Sequence, residues 1–276
     1  MSTETVRRAP AAESPPPSTL RMPDRLPAAD LTSGVPFARL VRVELRKMLD
    51  TRAGWWLIIA IGLVIAGALT IMFFTDGGDH PFSDYLQATT MPQAILLPVV
   101  GILAVTSEWS QRTAMVTFGL EPRRVRVAWA KLAAAMAVGV GAVALSFALG
   151  VAAHAAAVVL RGIDGDWSLP GLALAGAAAY VLLGLAQGVG FGMLLRNTPA
   201  AIVAYFVLPT AWGILSSLIG WMEIAGAWLD LNRTMDPLFT GSLTGEQWAQ
   251  LGTAVSVWAL IPLVLGMWRL TRAEVK

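Results

Sequence analysis

Residues 55–74, WWLIIAIGLVIAGALTIMFF, run for twenty positions without a charged side chain. At 1.5 Å per residue a helix of that length crosses the roughly 30 Å hydrocarbon core of a bilayer. Five more stretches of the same kind follow, at about 89–107, 132–160, 170–195, 200–222 and 248–268. In lipid, backbone polar groups must be satisfied within each segment, so the predicted fold class is all-α, a polytopic membrane protein with six transmembrane helices. Composition agrees: 56% of the 276 residues are hydrophobic and 14% charged, against about 25% charged in a soluble domain. A net charge of +2 lacks the basic excess of a nucleic-acid binder. Without cysteine there is no disulfide, thiolate nucleophile or Cys-ligated metal, and His80 and His154 are too far apart in sequence to suggest a histidine metal centre.

Lysine and arginine near span ends stay in the cytoplasm, so their distribution orients the spans. Six crossings put 18 of the 20 cations on the side of the termini, leaving only Arg161 and Arg233 opposite. Without the distant tail residues Arg7, Arg8, Arg21 and Arg25 the division is still 14 to 2. The 18 carboxylates divide evenly, so the terminal side carries +9 and the other −7. Both termini are expected in the cytoplasm. Nine of the 11 tryptophans fall at expected span ends, where an amphipathic ring prefers the interface; only Trp212 and Trp258 lie mid-span.

Residues 1–36 hold seven prolines and no apolar run, the composition of a disordered cytoplasmic tail ahead of a six-span domain at 37–276. Residues 37–53, FARLVRVELRKMLDTRA, are too charged to span and too periodic for a loop. Phe37, Leu40, Val41, Leu45 and Met48 share one helical face and Arg39, Arg42, Arg46 and Asp50 the other, which predicts an amphipathic interfacial helix before the first span. Glu44 falls inside the apolar arc, where a carboxylate is costly without a partner. Local pairing with Lys47 and a tertiary or subunit partner both remain open. Between the second and third spans, EWSQRTAMVTFGLEPRRVRVAWAK (108–131) predicts a short helix over 111–120, closed by Gly119 and Pro122, then clustered Arg123, Arg124 and Arg126. The cluster is a topology anchor; spacing alone does not make the short helix a docking element.

An amphipathic helix carrying Glu44 and Lys47, six spans, and a loop of the form Glu108, Arg112-Thr113, Pro122, Arg124, Lys131 together resemble the permease subunit of type-2 ATP-binding-cassette (ABC) exporters. The ending, Pro237 and then GSLTGEQWAQLGTAVSVWALIPLVLGMWRLTRAEVK, resembles small bacterial permeases of this group. The likeness covers 37–276, and it departs at Arg112, where many relatives place glycine before the threonine. It implies that Glu44, Lys47, Glu108, Arg112, Thr113, Pro122, Arg124 and Lys131 belong to a surface that receives the motion of an ATPase. It also implies a second permease, identical or a sister, a bacterial plasma membrane, and short re-entrant helices in the outer segment 223–247. Read without the resemblance, that segment is a loop with an interfacial anchor at Trp228.

None of the three lysines follows a glycine, so the G-x-x-x-x-G-K-[ST] phosphate cradle is absent. No cofactor is expected on this chain; ATP and Mg would sit on a partner ATPase. Nor is an enzyme expected: there is no G-x-S-x-G, and Asp164 and Asp166 lie in an outer loop. The spans contain no central carboxylate, which disfavours an ion-coupled carrier. Gly184, Gly188 and Gly192 recur every fourth residue, a spacing that lets helices approach closely within the chain, or less readily across a dimer. Pro92, Pro98, Pro209 and Pro262 are expected to kink their spans or mark unwound points. Gln187 is expected to make a helix–helix hydrogen bond, and the apolar walls favour a lipophilic or amphipathic cargo. The alternative to a permease is a non-transporting scaffold or sensor.

Overall fold

The computed structural model describes residues 35–75, 80–169, 171–240 and 243–272, and among them every regular element is helical. The chain divides after Gly34, so the tail expectation falls almost wholly outside the described residues. Six helices are long and apolar enough to cross a membrane. They are α2 (Arg52–Thr75), α3 (Phe82–Ser110), α5 (Arg124–Arg161), α6 (Ala173–Leu195), α7 (Thr198–Leu218) and a composite sixth of α11 (Gly245–Val255), a π-turn (Ser256–Leu260) and α12 (Ile261–Thr271). Helix α1 (Phe37–Asp50) precedes them, α4 (Ala114–Leu120) joins α3 to α5, and α8 (Glu223–Leu229), α9 (Leu231–Met235) and α10 (Pro237–Thr240) follow α7. The segment read as a loop without the resemblance is thus helical.

A one-residue corner joins α1 to α2. Thr51 is extended, and its hydroxyl accepts from the Gly54 amide at 3.1 Å, capping the start of α2. A Cβ on Gly54 would lie 2.3 Å from the Met48 carbonyl, so only glycine lets the first span start against the last turn of α1.

Helices α3 and α6 are the most enclosed spans, and α2 and α7 the least. Hydrophobicity cannot drive helices together in lipid, so close backbone packing must. Gly188 supplies it: a Cβ there would sit 2.4 Å from the Pro98 carbonyl of α3, and Gly184 and Gly192 abut Pro98 and Ile102 along the same seam. Gly190 faces the other way, against Leu263 of α12. Between α3 and α5, the buried Ser146 hydroxyl donates to the Thr89 carbonyl at 3.2 Å.

Several sequence boundaries shift. Helix α5 begins at Arg124, eight residues before the apolar span that starts at 132, and its 38 residues reach about 57 Å, far beyond a bilayer core. Arg124, Arg126 and Lys131 therefore project from a helix and not from a loop. Helix α4 starts at Ala114 instead of 111, and Gly119 lies within it and does not close it. Helices α3 and α7 run unbroken through their prolines, whereas the π-turn precedes Pro262. Trp258, on that turn, donates its indole N–H to the Leu229 carbonyl at 2.7 Å, which explains its mid-span place.

Candidate functional site

The polar residues of α1, α3 and α5 converge on a closed ring of four charges. Lys47 Nζ lies 2.8 Å from Glu44 Oε1 and 2.8 Å from Glu108 Oε1. Lys131 Nζ lies 2.7 Å from Glu44 Oε2 and 3.0 Å from Glu108 Oε1. Both readings of Glu44 hold at once: it pairs one turn on with Lys47 and, 87 residues away, with Lys131. Side chains of Glu44, Glu108 and Lys131 are 6%, 7% and 3% exposed, whereas Lys47 at 41% is the ring's one wet member. Lys131 spends its third N–H on the Ala104 carbonyl at 3.0 Å, so each of its own three ammonium protons has an acceptor. Charges taken out of water are tolerated only under such complete pairing.

Burial pulls the Lys47 ammonium toward neutrality, but the hydrogen bonds and charges of Glu108 and Glu44 outweigh it and hold its pKa above the ordinary lysine value. A raised lysine contributes its stability in full below the unfolded pKa and loses it as pH climbs through the folded one. The Lys47 arm of the ring is therefore intact at neutral pH.

Helix α4 rests on this ring. The Thr117 hydroxyl donates to Glu108 Oε1 at 3.3 Å. Phe118 packs on Trp109, with ring centroids 6.4 Å apart. The Arg124 guanidinium stands 4.9 Å from the Phe118 ring, and that of Arg196 4.9 Å from Trp109. Arg124 also donates to the Leu270 carbonyl of α12 at 3.2 Å. Behind α4, buried Glu121 pairs with Arg126 at 2.9 Å, and Arg126 reaches the Val35 carbonyl at 2.9 Å. The other face of α4 is bare: Met115, Val116 and Leu120 are 58%, 64% and 75% exposed. Between α1 and α4 lies a groove of about 500 Å³ with Leu40, Val43, Val116 and Leu120 on its walls and Glu44, Lys47 and Glu108 among its lining.

The structure thus brings Glu44, Lys47, Glu108 and Lys131 together and ties Arg124 to α4 and α12. Arg112, Thr113 and Pro122 are exposed on the turns flanking α4. Sequence reasoning missed Thr117, the Glu121–Arg126 pair and the exposed apolar face. The four-residue spacing of Val116 and Leu120 is that of one helical face, but the helix is too short for periodicity to carry weight.

Arg112 adopts φ +56°, the left-handed region, where a Cβ costs about 1–2 kcal/mol. The position where many members of the resembled family have glycine is thus one whose backbone favours it. Arg112→Gly is expected to stabilise the protein by about 0.5–1 kcal/mol, the relieved strain less the added freedom of the unfolded chain. Thermal unfolding in nanodiscs checks this, and a lower melting temperature would contradict it.

No family model matches the sequence, and neither does any curated protein. The functional reading rests on geometry and on the resemblance.

Proposed function

We propose that the chain is the membrane-spanning permease subunit of an ATP-driven exporter, and that the surface formed by α1 and α4 receives a separate ATPase. The observation that carries this reading is the four-charge ring. It locks the leading helix, the end of the second span and the start of the third into one stiff unit, and α4 displays an unpartnered apolar face from the top of that unit. Rigid elements transmit a partner's rotation to the spans they continue into, and flexible loops do not. The Thr51 corner serves the same end for the first span.

In this reading both termini and the α1–α4 surface face the cytoplasm of a bacterial cell, as the 18-to-2 division of cations supports. The least enclosed spans, α2 and α7, face lipid or a second permease. ATP and its Mg stay on the partner chain. The test is purification of the full-length protein from its native membrane in mild detergent. A chain bearing the G-x-x-x-x-G-K-[ST] cradle is expected to accompany it in near-equal amount. Recovery of the protein free of any such chain would favour a scaffold or sensor.

A further inference from the structure

A cavity of about 140 Å³ lies among α3, α6 and α7 and is covered by α9. A void of that size holds a molecule of about six heavy atoms, benzene being the reference case. Gln187 lines it; the residue is 2% exposed and its amide nitrogen has no hydrogen-bond partner, contrary to the helix–helix bond expected from sequence. An unpaired buried amide costs about 1–3 kcal/mol and calls for a partner.

Acceptors stand beside the same space. Pro98 has no N–H to offer the carbonyl four residues back, at Ala94. Ala94 and Tyr205 both line this cavity. The Tyr205 hydroxyl stands on its floor, 3.2 Å from where a Cβ on Gly184 would lie, and the Ala94 carbonyl is 3.6 Å from that point. Pro98 thus frees the Ala94 carbonyl beside Gly184, which with the Tyr205 hydroxyl and the unpaired Gln187 amide puts polar groups around one void. Backbone left unpaired at membrane depth is tolerated where it lines a cavity.

The lining contains no Asp, Glu, Lys or Arg, so a charged ligand would enter unpaired at prohibitive cost. Ile95 of α3 and Phe206 of α7 border the cavity and are 51% and 36% exposed, so on this side its lining reaches the molecular surface. We infer that this cavity binds the uncharged, hydroxyl-bearing head group of a single-chain amphiphile, held by the Gln187 amide, the Tyr205 hydroxyl and the Ala94 carbonyl, with its tail leaving past Ile95 and Phe206.

The inference deepens the exporter reading by naming a class of cargo, yet its test needs no ATPase. Full-length protein in nanodiscs is photolabelled with a monoacylglycerol carrying a diazirine near its head, and adducts are mapped by mass spectrometry. Labelling is expected to concentrate on residues 94–95, 184–187, 205–210 and 231–235 and to be competed by unlabelled monoacylglycerol. Gln187→Leu is expected to weaken that competition about tenfold, the loss of one buried hydrogen bond. Tyr205→Phe, a milder change, is expected to weaken it severalfold and guards against a misfolded Gln187→Leu. A fatty acid or alkyltrimethylammonium with the same diazirine chain should label these residues only weakly. Labels spread over the lipid-facing surface, equal labelling by the charged probes, or competition unchanged in folded variants would overturn the site. Specific labelling without a co-purifying ATPase would leave the site standing and remove the exporter reading; the reverse result would remove the site alone.

Discussion

Lys131→Met is expected to lower the free energy of unfolding by about 3–5 kcal/mol, the cost of breaking a buried ion pair from one side. Lys131 is 3% exposed at its side chain and is shared by Glu44 and Glu108. Its removal leaves two buried carboxylates facing the single, half-wet Lys47, and also strips the Ala104 carbonyl of its donor. The decisive comparison is a double-mutant cycle. Adding Glu44→Gln to Lys131→Met returns the ring to neutrality, with Lys47 and Glu108 as a remaining pair, so the double variant should melt above the single one. Thermal unfolding in nanodiscs measures both. Additive losses would mean that the two side chains are not coupled, and an unchanged melting temperature for Lys131→Met would contradict the ring's structural role.

The second large effect is one of function with little change in stability. Val116→Asp combined with Leu120→Asp alters two largely exposed side chains on the rim of the α1–α4 groove, where surface substitutions usually stay within about 0.5 kcal/mol. Melting temperature should therefore barely move. Recovery of the proposed ATPase with the protein should fall at least tenfold, because two carboxylates would have to be buried at the contact. Retained recovery would place the docking surface elsewhere. Charge reversal at Glu108, the more obvious choice from sequence, is a poor probe because it would break the ring and the fold together.

What the sequence made legible follows from where its signals are local. Uncharged runs mark all six spans, since lipid forbids charge over consecutive residues whatever the tertiary fold. The same rule says nothing of where a helix starts outside the lipid: Arg126 and Lys131 end the apolar run, but α5 already begins at Arg124, and both side chains are paired with carboxylates. A pairing between residues 44 and 131 leaves no periodic trace. Glu44 was visible as a misplaced carboxylate on an apolar face; its distant partner was not. Arg112 was legible as a departure from the pattern of the resembled family, while its left-handed backbone, set by the turn before α4, left no sequence signal of its own. The membrane cavity was hidden for a similar reason. Pro98 and Gln187 could be read singly, but only the packing of α3, α6 and α7 sets Ala94, Tyr205 and Gln187 around one void.

The central claim is that the α1–α4 surface meets an ATPase, and cross-linking in living cells tests it most directly. A photoreactive amino acid would replace Val116 on the bare face of α4, and in a control Val159 near the far end of α5, which is 79% exposed. After irradiation the adduct at 116 is expected to contain a chain with the G-x-x-x-x-G-K-[ST] cradle, and the adduct at 159 is not. Cross-linking of such a chain equally from both positions, or from neither, would contradict the account.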